Sequence, residues 1–327
     1  MNPEFEAYTQ PYKDRIVQRM LETVAETHPE TLYDPMRYAV QAGGKLLRPI
    51  LALLCGQAVG GTVEAALPAA VALELVHNFS LVHDDIMDND ELRRGRETVH
   101  KKWDANVAIL SGDALLIKAY EALSEVDAMQ LPRVLKAFNQ GILEVCEGQT
   151  LDMEFEERYD VSLDEYFYMI DRKTAKLFSL SCELGAILGG GSEEQIQAMR
   201  TYGMDLGRAF QVQDDLLDVL SDVDTLGKDV GSDIQEDKKT FLMLYMREHA
   251  SAEQMQRIQS IQRKQHVSTQ DIQDVIAILT EVGSIEAARK HVTDALNDAR
   301  ESLQAVTNTT SQNLLSTLLD MLEDRTY

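Results

Sequence analysis

An all-α fold is what this 327-residue sequence predicts. Only 7 prolines occur and none follows Pro132, so the C-terminal part of the chain lacks the strongest helix breaker. Asn-Gly and Asp-Gly, the short-range signals of two-residue β-hairpins, are absent. Apolar residues recur at helical intervals, and hydrophobic side chains make up 44% of the chain, enough for a sizeable core. No Ser/Gly-rich, Pro-rich or low-complexity stretch marks a linker, so residues 1–327 read as a single domain.

The elements follow in order. A helix starts near Leu46, after the Gly43-Gly44 break, and runs through Ile50 to Leu54. A long one covers about Ala66 to Asp88, with Leu73, Val76 and Leu81 at helical intervals. Another runs from about Asn106 to Val126, and the next from about Leu131 to Phe155, carrying Glu144, Gln149 and Asp152. Ser162 and Glu165 form a capping-box pattern, opening a helix that ends at Gly189-Gly190-Gly191. Ser192 and Gln195 open the following one, which carries Phe210 to Asp215. Gly227 to Gly231 reads as a loop, and the later helices, capped by Ser251 and Ser268, read as support.

Composition excludes several function classes. A formal net charge of −24 argues against nucleic-acid binding, which needs a basic footprint. That excess acid suits a solubility device or a salt-adapted surface. The N-terminal MNPEFEAYTQPYKDR has early acids and no signal-peptide apolar core, and no run reaches the roughly 18 apolar residues of a membrane span. Cys55, Cys146 and Cys182 are odd in number, match no zinc spacing and sit in apolar helical contexts, which predicts buried thiols in a reducing cytoplasm.

Two acidic clusters of one design carry the chemistry: Asp84-Asp85-Ile86-Met87-Asp88 and Asp214-Asp215-Leu216-Leu217-Asp218. Residues i and i+4 share a helix face, so Asp84 projects with Asp88 and Asp214 with Asp218. Carboxylates packed so closely repel one another, a cost that a cation relieves. Hard oxygen donors without nearby Cys or ligand-like His point to Mg²⁺, which shares its coordination between one or two carboxylates and substrate phosphates. Both motifs fall near C-terminal helix ends, whose negative pole favours a cation further. A lone DDxxD reads as a solvated helix face. Two copies, each followed by basic residues, do not: Arg93-Arg94-Gly95 follows the first, and Gly227-Lys228 and Lys238 follow the second. Gly43-Gly44-Lys45-Leu46-Leu47-Arg48-Pro49 and Lys173-Thr174 add further cations. Arg suits the fork geometry of phosphate and Lys acts as a point charge, so the set describes a site for a polyanion with Mg²⁺.

At these residues the chain resembles the trans-prenyl diphosphate synthase family, in GGKxxRP, HDDxxD with RRG, Lys-Thr, FQxxDDxxD and the following GK, spread from about Gly43 to Lys238. The resemblance implies a helical bundle around a deep central pocket, a homodimer, and three Mg²⁺ ions per active site. It implies condensation of isopentenyl diphosphate with allylic diphosphates. Asp84, Asp85, Asp88, Asp214 and Asp218 would hold Mg²⁺, with Asp215 close by. Arg93, Lys173, Lys228 and Lys238 would hold the allylic diphosphate, and Lys45, Arg48, His77 and Arg94 the isopentenyl diphosphate. Thr174 and Gln211 would border the reacting carbons.

Each assignment has a plainer reading. Lys228 after glycine suits a loop charge, His77 and His83 suit packed histidines, and Gln211 suits a buried amide with satisfied partners. Lys239 reads as solvent-facing. Arg93 and Arg94, if helical, point about 100° apart. A terpene cyclase would lack the second diphosphate site that Lys45, Arg48 and Arg94 suggest. A non-catalytic subunit of a heteromeric synthase could dispense with one DDxxD or its cationic partners, and neither is missing. The prenyl tail should run down the helix before Asp84. Ser80 shares the face of Asp84. Resemblance places Phe79 as the floor, as in synthases of geranylgeranyl diphosphate, with farnesyl diphosphate (15 carbons) or a longer-chain product as the alternative.

Overall fold

The computed structural model describes residues 2–220, 238–264 and 267–324. Helices dominate. Asn2 caps α1 (Pro3–Thr23) by accepting from the Glu4 and Phe5 amides at 3.0 and 3.3 Å. Then come α2 (Glu30–Val40), α3 (Leu47–Ala58) and α4 (Val63–Met87). A short hairpin, β1 (Leu92–Arg93) with β2 (Arg96–Glu97), precedes α5 (Val99–Lys102) and α6 (Ala105–Leu123). Next are α7 (Leu131–Glu156) and α8 (Leu163–Ile170), whose Ser162–Glu165 capping box is present as predicted. A π-helical turn, Asp171–Ala175, joins α8 to α9 (Lys176–Leu188) without a break. The chain continues as α10 (Glu193–Leu220), α11 (Phe241–His249), α12 (Ala252–Gln262), α13 (Thr269–Glu281), α14 (Ser284–Ser302) and α15 (Thr309–Glu323). Ser251 and Ser268 cap α12 and α13 through capping boxes, and Ser192 with Gln195 does the same for α10.

The described residues fall into two compact units. The first comprises those within 1–142, 180–200 and 303–317, and the second those within 143–179, 201–302 and 318–327. Helices α7, α9 and α10 each contribute residues to both. In the first unit α4 packs against α3 and α6 and buries Leu73, Leu75 and Val76 almost completely. Among the described residues α4 is the helix long and apolar enough to cross a membrane, and 67% of its apolar window is buried inside the protein. In the second unit α11 packs against α8, α13 and α14.

The structure refines two expectations and corrects two others. Arg93 and Arg94 are not helical. Arg93 closes β1, and Arg94 and Gly95 form the turn with φ of 55° and 73°. Both are left-handed, as a two-residue hairpin turn requires; an Arg-Gly pair supplied what Asn-Gly usually does. The helix after Ser162 contains a π-turn that no hydrophobic period signals. Cys146 on α7 is exposed, while Cys55 and Cys182 are buried. Lys239 is only 8% exposed, because it sits just before the buried start of α11, and its neighbour Lys238 takes the exposed position.

Candidate active site

In the first unit the C-terminal turn of α4 presents Asp84 and Asp85, and Asp88 is its C-cap. The three carboxylates differ sharply. Asp88 is exposed, Asp84 half-buried, and Asp85 only 4% exposed. Asp85 accepts from Arg93 Nε at 2.7 Å, and Arg93 Nη2 reaches Asp90 at 3.1 Å and Asp84 at 3.8 Å. Burial pushes the Asp85 carboxyl upward and the Arg93 guanidinium opposes that. The hairpin thus holds Arg93 at the cluster through its middle acid.

The cations assigned to isopentenyl diphosphate gather in the same unit. Gly44 has no Cβ because one would stand 2.9 Å from both terminal nitrogens of Arg94. The Gly43-Gly44 loop therefore lies directly under the Arg94 guanidinium, and exposed Lys45 follows it. Leu46, with φ of 51°, then turns the chain into α3, which brings Arg48 Nη1 to 3.3 Å from His77 Nε2 on α4. Burial, with the charges of Arg48, Arg94 and Arg93, holds the His77 imidazole well below the usual histidine range. It is a neutral hydrogen-bonding group at neutral pH. Glu74, one turn earlier and 3% exposed, has its carboxyl raised by burial and drawn down by Arg48 and Arg94. Sequence reading missed Glu74, although a Glu in an otherwise apolar helix three residues before His77 was the available signal.

In the second unit α10 carries Gln211, Asp214, Asp215 and Asp218. Again the middle acid is the buried one. Asp215 is 5% exposed and accepts from Tyr166 Oη at 2.7 Å, the Phe241 amide at 3.0 Å and Gln211 Nε2 at 3.0 Å. It ties α10 to α8 and to the start of α11, while Asp214 and Asp218 are half-buried. Gln211 also accepts from the Thr174 hydroxyl at 2.8 Å, so both ends of its amide are engaged. Lys173 pairs with Asp152 of α7. Lys238 is exposed, and Lys228 lies outside the described residues.

Further up α4, the Phe79 ring meets His83 edge-on at 4.8 Å, and His83 Nε2 lies 3.2 Å from the Ile109 carbonyl oxygen of α6. Ser80 turns its hydroxyl back to the His77 carbonyl at 2.9 Å. His83 is the packed, hydrogen-bonded histidine of the plainer reading.

Among the described residues no three His, Cys, Asp or Glu side chains converge on a ready-made metal cage. The donor chemistry nevertheless suits Mg²⁺, which takes one or two carboxylates and completes its shell with water and substrate phosphate. Partly exposed Asp84 and exposed Asp88 at a negative helix end fit that demand.

The sequence model of the Polyprenyl synthetase family matches residues 29–279. Relatives include the "Short chain isoprenyl diphosphate synthase" of Methanothermobacter thermautotrophicus, 40% identical over 97% of each chain. The "Geranylgeranyl diphosphate synthase" of Methanosarcina mazei is 40% identical over 94% of this chain and 93% of its own. The crystal structure of geranylgeranyl pyrophosphate synthetase from Pyrococcus horikoshii superposes with a TM-score of 0.95 at 39% identity, covering 99% of both chains. The chain belongs to the polyprenyl synthetase family and is a prenyltransferase with that family's all-α fold.

Proposed function

We propose that the protein condenses isopentenyl diphosphate head to tail (1′-4) with allylic diphosphates, and that its main product is geranylgeranyl diphosphate. The observation that carries this is the pairing of Arg48 with His77 and the stacking of Arg94 against Gly44 beside Lys45, in the same unit as the first DDxxD. A single diphosphate substrate would not need that second cationic set.

The roles follow. Lys45, Arg48 and Arg94 hold isopentenyl diphosphate by charge, and neutral His77 adds a hydrogen bond. Arg93, fixed on Asp85, and Lys173 face charge on the allylic diphosphate, with Lys238 and Lys228 as further cations. Asp84 and Asp88 with Asp214 and Asp218 would hold Mg²⁺, three ions in all, while Asp85, expected among the ligands, is engaged by Arg93. When bound, Mg²⁺ neutralises the charge that develops on departing diphosphate. Asp85 and Asp215 act by holding Arg93 and α10 in place. Thr174 and Gln211 border the reacting carbons. The allylic cation is attacked by the alkene of isopentenyl diphosphate, a proton leaves, and the chain is five carbons longer. Released diphosphate serves as the proton acceptor, so no side chain is assigned as base. The step calls for apolar walls that exclude the water that would quench the cation.

The product length rests on Phe79, pinned by His83 as a floor, and on the geranylgeranyl synthases among the relatives. The chain works as one domain and a homodimer in the cytoplasm; exposed Ile109, Leu110 and Ile117 on α6 support a partner surface. The test is incubation of purified protein with Mg²⁺, isopentenyl diphosphate and each allylic primer, followed by chain-length analysis. A 20-carbon main product is expected; a 15-carbon product would overturn the length, and no condensation with any primer the reaction.

A further inference from the structure

The π-helical turn Asp171–Ala175 presents Lys173 and Thr174, and two glycines let its backbone come close to neighbouring helices. A Cβ on Gly148 of α7 would stand 2.2 Å from the Lys173 amide nitrogen. One on Gly207 of α10 would stand 2.5 Å from Ala175 Cα. Such packing fixes how far the turn lies from each helix. It does not fix how the turn is rotated or how far it slides along them, since a surface without Cβ atoms offers no stop. A π-turn is also a rare local departure from the α-helical geometry on either side of it. Its register needs an outside tie.

Arg208, the residue after Gly207, supplies one. Its Nε and Nη2 donate to the two oxygens of Asp171, the first residue of the turn, at 2.5 and 2.6 Å. Two parallel charge-assisted bonds fix direction as well as distance. Asp205 lies 3.8 Å from Arg208 Nη1, on the remaining side of the guanidinium. One turn further along α10, Gln211 receives the Thr174 hydroxyl. Residues 207, 208 and 211 thus meet residues 175, 171 and 174, and the ion pair is the only directional charge contact of the three. A partly buried ion pair contributes little net stability but is well suited to selecting one register.

We propose that the Asp171–Arg208 ion pair is a positioning device that sets the register of the π-helical turn on α10 and so aims Lys173 and Thr174 at the allylic diphosphate. This rests on the reading of Lys173 and Thr174 given above. Asp171 and Arg208 act through those residues and are positioning residues.

The experiment uses the full chain with isopentenyl diphosphate and an allylic primer, in Asp171→Asn, Arg208→Gln, Arg208→Lys, Lys173→Ala, and the double variants Asp171→Asn/Arg208→Gln and Lys173→Ala/Arg208→Gln. A misplaced cation should raise KM for the allylic diphosphate or lower kcat by about tenfold or more, with KM for isopentenyl diphosphate changed by less than about twofold. Breaking both partners should cost no more than breaking one, and Arg208→Gln should cost less than about twofold further once Lys173 is gone. Arg208→Lys should recover part of the loss, because lysine keeps the charge but not the fork. Equal rises in both KM values, additive losses, or activity that merely follows Tm would overturn the proposal. So would failure of both single variants to fold, since the pair would then support the whole unit. A wild type that condenses isopentenyl diphosphate and an Arg208→Gln variant that does so equally well overturn this proposal alone. A wild type inactive with every primer overturns the reading beneath it.

Discussion

Asp85 and Asp215 occupy the same place in two DDxxD motifs, and both are buried and bonded to protein: one to Arg93, the other to Tyr166, Gln211 and the Phe241 amide. Their neighbours Asp84, Asp214 and Asp218 are half-buried and Asp88 is exposed. Substitution should therefore separate two effects. Asp84→Ala and Asp214→Ala should each lower kcat by roughly 10²-fold or more, because charge stabilisation is lost in the transition state. Asp215→Ala should instead lower stability by ~2–4 kcal/mol, since three donors lose a buried acceptor. Steady-state kinetics and denaturant unfolding check the split; an unchanged kcat in Asp214→Ala would return that cluster to a solvated helix face. Asp205 yields a pH prediction. Burial, with Asp298 and Asp171 adding to it against Arg208, pushes its carboxyl up to about 6. The unfolded chain loses this proton near the ordinary carboxylate range, so stability falls as pH rises through the window up to about 6, and the penalty persists above it. Asp205→Asn should be more stable than wild type at pH 7 by on the order of 1–3 kcal/mol, and the gap should close below about pH 4. Paired denaturant titrations across that range measure it, and a gap independent of pH would contradict the assignment.

At the scale of elements, α4 combines two tasks. Its last turn holds the first acidic cluster, and the turns before it carry Ser80, Phe79 and His77. About 1.5 Å of rise per residue puts Phe79 roughly 7 Å along the axis from Asp84. Phe79→Ala should lengthen the product by at least one isoprene unit, and Ser80→Phe should shorten it. Product analysis decides, and the same product from both variants would place the floor elsewhere. The capping boxes at Ser162, Ser251 and Ser268 were legible in the sequence because each needs only residues three apart. The hairpin was not, because its turn uses Arg94-Gly95, and a left-handed Arg carries no sequence signal. Nor was the π-turn, since five residues of π-helix are too short a stretch for a hydrophobic period to mark.

For the whole molecule, two expectations concern metal and assembly. Chelation should abolish turnover and added Mg²⁺ restore it; full activity in excess chelator would sink the metal mechanism. Ile109, Leu110 and Ile117 are 43%, 60% and 59% exposed on α6, which is costly for large apolar side chains in water. Leu110→Glu with Ile117→Glu should shift a dimer toward monomer in sedimentation equilibrium; an unaltered mass would place the partner surface elsewhere. By itself the sequence determined the helical class, most helix starts and the two acidic clusters with their cations. Those depend on spacing and residue chemistry within a few turns of chain, which act before any tertiary contact forms. Tertiary structure alone decided that Asp85 and Asp215 are buried and bonded to protein, that the His77 imidazole is held well below the usual histidine range, that Lys239 is buried and Cys146 exposed, and that Arg208 reaches Asp171. Burial and partner choice set those properties, and both come from residues far apart in the chain, brought together only when the helices pack.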